Sequence, residues 1–222
     1  MPVAAMKPRL SNQPTAALTL VEVTIVIAVL VIAVALILPS LAKVKRGPSR
    51  ISCINDLKQT GLAFRLWEGD NGKYPMQVSV TNGGAMELIA TGNVAACFQV
   101  MSNEVNNPKI LLCPEDKSRA WATNWSTLNN SNISYFVGLD VTNDTNLKML
   151  FSGDDNFAIG GVPVKSGVLQ LLVNTPIAWT KTRHKLYGNI GFADGSVQQL
   201  TTDGLRQALQ QTSVATHLFA LP

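Results

Sequence analysis

Residues 18–38 read LTLVEVTIVIAVLVIAVALIL, 21 residues in which Glu22 is the one ionisable group. As a helix this run is about 31 Å long, close to the hydrocarbon thickness of a bilayer. A helix buried in a globular core usually keeps a polar face, and none exists between Ile25 and Leu38. A cleaved secretory signal has an apolar region of only about 7–15 residues ending at a small-residue cleavage site, which this run lacks. The expectation is therefore a transmembrane helix over 18–38. Counting Lys7 and Arg9 before it against Lys43, Lys45, Arg46 and Arg50 after it would keep the C-terminal part in the cytoplasm.

Charge narrows the function further. The chain carries Lys+Arg 18 against Asp+Glu 14, a net +4. Residues 1–60 hold seven basic and two acidic residues, whereas 61–222 hold eleven basic and twelve acidic. The excess flanks the apolar run and forms no stripe on the remainder, so nucleic acid is not an expected partner.

An acid inside an apolar helix is costly and marks a functional partner. Here it also has a specific place. The stretch Ala16-Ala17-Leu18-Thr19-Leu20-Val21-Glu22-Val23 resembles the processing site of type IV pilins and of type II secretion pseudopilins. The resemblance implies a prepilin leader peptide over 1–17, cleavage by a prepilin peptidase between Ala17 and Leu18, and N-methylation of Leu18. Glu22 becomes the fifth mature residue and steers subunit assembly by meeting the new amine of a neighbouring copy. Pro39 falls where the family's helix bends. Ala17 and Leu18 depart from the usual Gly and Phe or Met. The resemblance also sets the orientation, N-terminus cytoplasmic and C-terminal domain periplasmic, against the positive-charge count.

Beyond the apolar run, 39–70 reads as an extension of the N-terminal helix with a break near 47–48, at Gly47-Pro48. Its second part, 49–67, carries Ile51, Ile54, Leu57, Gly61 and Phe64 at helical spacing, and Asn71-Gly72 closes it. Residues 71–222 form the periplasmic globular α+β domain. Short helices are expected at 84–91 and 94–103, and strands at 133–137, 147–151, 157–164, 168–173 and 187–193. The segments 189–193 and 196–200 predict a hairpin around a two-residue Asp194-Gly195 turn. Thr202 or Asp203 then caps a helix to about residue 211. The fold class expected is α+β and pilin-like: a long N-terminal transmembrane helix packed against a small antiparallel sheet.

His184, nine intervening residues and Asp194-Gly195 resemble the H-x9-DG signature of pilin-like proteins of the planctomycete and verrucomicrobial type. The passages around Cys53, around Cys113-Pro114-Glu115-Asp116 and at Gly153-Asp154-Asp155-Asn156 agree with that group. His184 and Asp194 invite an acid–base or metal reading, but Asp-Gly is what the turn needs and no catalytic motif accompanies them. No enzyme activity is expected. The resemblance brings calcium as the one cofactor to weigh, with Asp154, Asp155 and Asp194 as oxygen donors, although their spacing matches no calcium loop. Among Cys53, Cys97 and Cys113, the resemblance pairs Cys53 with Cys113, closing a loop of about 60 residues.

The function these features imply is structural. It is a pseudopilin-like subunit of a type II secretion or type IV pilus filament, drawn from the bacterial inner membrane by an assembly platform and packed against other pilin-like subunits. The alternative is a membrane-anchored periplasmic binding module for sugar or calcium that does not polymerise.

Overall fold

The computed structural model describes residues 19–42, 48–142 and 146–222. The chain divides into two compact units, Met1–Arg46 and Gly47–Pro222.

In the first unit, α1 (Leu20–Ala42) starts where a capping box starts it. Thr19 Oγ1 accepts from the Glu22 amide at 3.3 Å, and Glu22 Oε2 accepts from the Thr19 amide at 2.8 Å and hydroxyl at 2.9 Å. This reciprocal pairing satisfies two of the donors that a helix start leaves orphaned. The helical backbone runs through Pro39. The expected leader 1–17, the cleavage pair Ala17 and Leu18, and the break at Gly47 lie outside the described residues.

In the second unit, α2 (Pro48–Asn71) opens on a proline, which costs nothing where no intrahelical N–H bond is required. It ends at Gly72, whose φ of 75° allows its amide to reach the Glu68 carbonyl. The buried stripe is Cys53, Leu57, Thr60, Phe64 and Trp67. Ile51, expected on that face, is exposed.

After α3 (Met86–Ile89) and α4 (Val94–Val100) the chain turns to strands. These are β1 (Tyr135–Gly138), β2 (Leu150–Asp154), β3 (Phe157–Ile159), β4 (Val162–Pro163), β5 (Gly167–Leu172), β6 (Ile177–Trp179), β7 (Tyr187–Phe192) and β8 (Val197–Thr201). Then α5 (Thr202–Gln211), capped by Thr201, leads to β9 (Thr216–Leu221). A six-stranded antiparallel sheet has the order β5-β9-β1-β2-β7-β8, and a three-stranded one the order β4-β3-β6.

Both β1 and β2 are buried along their whole length because both faces of the larger sheet are covered. On one face Tyr135, Val137 and Phe151 pack with Leu57, Phe64 and Phe98. Phe64 and Phe151 meet edge to face at 4.6 Å. On the other face Phe136, Ile190 and Phe219 pack with Leu205 and Leu209 of α5 and with Phe157 and Trp179 of the smaller sheet.

The expected fold class is corrected in two respects. First, no helix among the described residues is long and apolar enough to cross a membrane. The Thr19–Glu22 cap places the acid in the first turn. The run free of polar residues and proline, 25–38, has 14 residues and a helical length of about 21 Å, short of a bilayer core. Second, the α+β domain is built on a large sheet, and the helix laid on it is α2. The expected strands omitted β9, which inserts between β5 and β1 and makes one sheet of them.

The hairpin also differs in detail. The Phe192 amide bonds to the Ser196 carbonyl and the Gly195 amide to that of Phe192, each at 2.9 Å. The connection is therefore Ala193-Asp194-Gly195, with Gly195 at φ 84°, a three-residue loop ending in a left-handed glycine.

Gly153 shows how tightly the sheet centre is filled. A Cβ there would lie 2.7 Å from the Asn189 carbonyl oxygen and 2.6 Å from Ile190 Cδ1. Gly153→Ala is expected to cost about 1–3 kcal/mol of overpacking, read as a lower denaturant midpoint at unchanged slope.

Candidate functional site

Four segments deliver polar and sulfur side chains to one buried place. Cys53 comes from α2. Cys113 and Asp116 come from the turn after the helical turn Pro108–Leu111, closed by the Asp116 amide on the Cys113 carbonyl at 2.8 Å. Asp154 and Asp155 stand at the end of β2. Arg183 and His184 come from the loop before β7. All six are buried.

Cys53 and Cys113 are joined in a disulfide, with Cα atoms 5.3 Å apart across 60 residues of sequence. His184 Nε2 lies 3.2 Å from Cys113 Sγ, 3.5 Å from Asp154 Oδ2 and 3.3 Å from the Asn189 side-chain amide nitrogen. Holding the ring there takes an unusual backbone. His184, Lys185 and Leu186 have φ of 48°, 52° and 71°, three successive non-glycine residues in the left-handed region. Each costs on the order of 1 kcal/mol or more, and such a run persists only where its surroundings dictate it.

Beside the histidine, Arg183 is ringed by carboxylates. Its guanidinium pairs with Asp155 Oδ1 and donates to the Ser134 carbonyl at 3.0 Å. Asp116 Oδ2 is 3.7 Å and Asp154 Oδ1 3.9 Å away. Arg119 adds a 2.7 Å pair with Asp155 and a bond to the Ile133 carbonyl. Three acids thus face two guanidinium groups, and burial and pairing act on them unequally. Burial pushes the Asp154 carboxyl up, more than Arg183 and His184 pull it down. Burial also acts on Asp116, but Arg183 and the hydrogen bonds from Ser118 and Ser134 outweigh it and hold that group below its usual value.

The other residues singled out in the sequence fall as follows. Glu22 is in the first turn of α1, occupied with Thr19. Asp194 and Gly195 are exposed at the hairpin tip, where Asp194 Oδ1 accepts from the Ser196 amide at 2.7 Å. The acid facing His184 is thus Asp154 and not Asp194. Asp154, Asp155 and Asp194 do not converge as a calcium set, since two are bound to guanidinium or amide groups in the interior and the third is on the surface. Cys97 is a free thiol buried in α4, and burial pushes its pKa up. Arg183, Asp116, Arg119 and Asn189 escaped the sequence reading. The signal within reach was adjacency: Arg183 precedes the signature histidine and Asp116 follows Cys113 by three.

No family model, no curated protein and no solved structure matches this chain.

Arg183→Met would leave buried carboxylates without their counter-charge, and a loss of about 3–5 kcal/mol in denaturant unfolding is expected. A second effect concerns Asp56 on α2, close enough to bear electrostatically on the buried Tyr135 hydroxyl. Burial pushes its carboxyl up to about 6, a Ser52 hydrogen bond offsetting part of this. Unfolded, it titrates near about 4. The folded chain therefore keeps a proton the unfolded chain has released between pH about 4 and 6, and stability falls as pH rises through that window. In Asp56→Asn that slope should flatten, with a gain of about 1 kcal/mol at pH 7 after discounting for partial exposure.

Proposed function

We propose that the chain is a pilin-like structural subunit, processed by a prepilin peptidase and assembled into a type II secretion or type IV pilus-type filament. One observation carries this reading. The described part of α1 exposes Val21, Ile25, Val26, Leu30, Val31 and Leu36, apolar on every side, with Glu22 its one ionisable group. A helix hydrophobic all round has to be covered by something. Neighbouring copies of the same helix are a cover that leaves each subunit equivalent. The N-terminal motif around Ala17 and Leu18 fits such assembly.

In this reading Glu22 has two tasks. Within the chain it completes the cap on Thr19, and between chains its carboxylate receives the amine of Leu18 from the next subunit. In the apolar packing of helices that charge pair sets the axial register, as a buried polar residue does in coiled coils. The Cys53–Cys113 disulfide supports an oxidising compartment for the second unit, in keeping with delivery from the bacterial inner membrane to the periplasmic side. The buried cluster around Arg183 and His184 serves as the internal clamp of that domain.

The two tasks of Glu22 separate experimentally. Glu22→Gln keeps the capping geometry, since glutamine serves at that position of the box, but removes the charge. Both Glu22→Gln and Glu22→Ala are expected to fold, to form the disulfide and to enter filaments at least about tenfold less than the parent, by analogy with other buried ion pairs broken on one side. Mass and N-terminal sequencing of the parent should give a chain beginning at N-methylated Leu18. Normal incorporation of Glu22→Gln, or a filament subunit retaining residues 1–17, would falsify the reading.

A further inference from the structure

The surroundings of His184 carry a consequence independent of filament assembly. The two Sγ atoms of Cys53 and Cys113 and the His184 ring nitrogen lie within 4.8 Å of one another, all buried. Asp154 Oδ2 stands 3.5 Å from the same nitrogen, and Asp154 Oδ1, fully buried, has no hydrogen-bond partner. Sulfur, nitrogen and oxygen atoms converge here, and the N–H groups that face Asp154 Oδ2 are the backbone and side-chain amides of Asn189, the latter also facing Nε2. Arg183 reaches Asp154 only at 3.9 Å. So many electron-pair donors together, out of water, favour a positive centre between them.

We propose that the reduced form of this chain binds a divalent zinc-type cation through Cys53, Cys113 and His184, with the Asp154 carboxylate as the neighbouring negative group. The step balances as follows. A dithiol or phosphine reductant supplies two electrons that break the S–S bond, and two protons convert the sulfurs to thiols. The cation then displaces both thiol protons to solvent and takes the Nε2 lone pair, while the imidazole proton stays on Nδ1. Tetrahedral zinc holds sulfur at about 2.3 Å and nitrogen at about 2.0–2.1 Å, which separates its ligand atoms by roughly 3.3–3.8 Å. The Cys113 Sγ to His184 Nε2 distance of 3.2 Å already approximates this, so the main adjustment is separation of the two sulfurs. Sulfurs shared in a covalent bond cannot serve as thiolates. Oxidation and metal binding therefore exclude each other, and one side-chain set gives the fold either of two staples. The left-handed run at 184–186 keeps the histidine in place for both.

The test uses the full chain, oxidised and phosphine-reduced, titrated with Zn²⁺ against a competing chelator and with Co²⁺ as the spectroscopic probe. The reduced chain should take one Zn²⁺, gain thermal stability from it and show thiolate-to-Co²⁺ charge transfer with tetrahedral d–d absorption. The oxidised chain should do none of these. Cys97→Ser should behave as the parent. His184→Ala, and independently Cys113→Ser, should lower affinity at least about tenfold, as loss of a ligand or its support does. The proposal is overturned if the reduced chain binds no Zn²⁺, whether or not it stays folded. It is equally overturned if the oxidised chain binds as well, or if either variant retains the parent's affinity.

Discussion

The burial of Arg183 is the constraint on which the globular unit turns. A guanidinium out of water is tolerated only with its donors and its charge answered, and the answers come from residues far apart in sequence. Asp155 and Asp154 end β2, Asp116 belongs to the turn after Cys113, and the Ser134 carbonyl immediately precedes β1. Satisfying one side chain therefore fixes the edge of the central strand pair, the crossing loop and the approach to β7. The disulfide lies against the same cluster through His184 and ties α2 to it. Sulfur, imidazole, guanidinium and carboxylates form one polar seam in the domain.

Around that seam the apolar residues divide between two faces of one sheet. Tyr135 and Val137 look toward α2 and α4, and Phe136 between them looks toward α5 and the smaller sheet. Antiparallel sheets commonly leave one face wet and so alternate apolar and polar residues. Here β1 and β2 are buried at every position because neither face is free. The left-handed stretch at His184–Leu186 is the visible cost of bringing a loop residue down onto the disulfide.

The α1 helix solves a different problem. Its cap is local, built from Thr19 and Glu22. Its sides are apolar in all directions and demand partners that the helix does not supply. The proposed assembly through α1 and the proposed redox-dependent chemistry at His184 are separable, one resting on surface and the other on an interior cluster.

What was legible in the sequence were features that neighbouring residues settle among themselves. Asn71-Gly72 stops α2 because glycine alone takes a left-handed turn freely, and Asp194-Gly195 reverses the chain for the same reason. The apolar run after Leu18 read as a bilayer span, yet no helix among the described residues is long and apolar enough to cross a membrane. The pairing of Cys53 with Cys113 was suggested by the resemblance, but its contact with His184 was not. The sequence alone determined the apolar rod, the α+β character and the turns, since these follow from periodicity and from the φ preferences of single residues. Only the tertiary structure decided that β9 joins two halves of a sheet, that Asp154 rather than Asp194 faces His184, and that Arg183 gathers three acids. Those depend on desolvated charges finding partners across many tens of residues, and no local pattern encodes which partner is met.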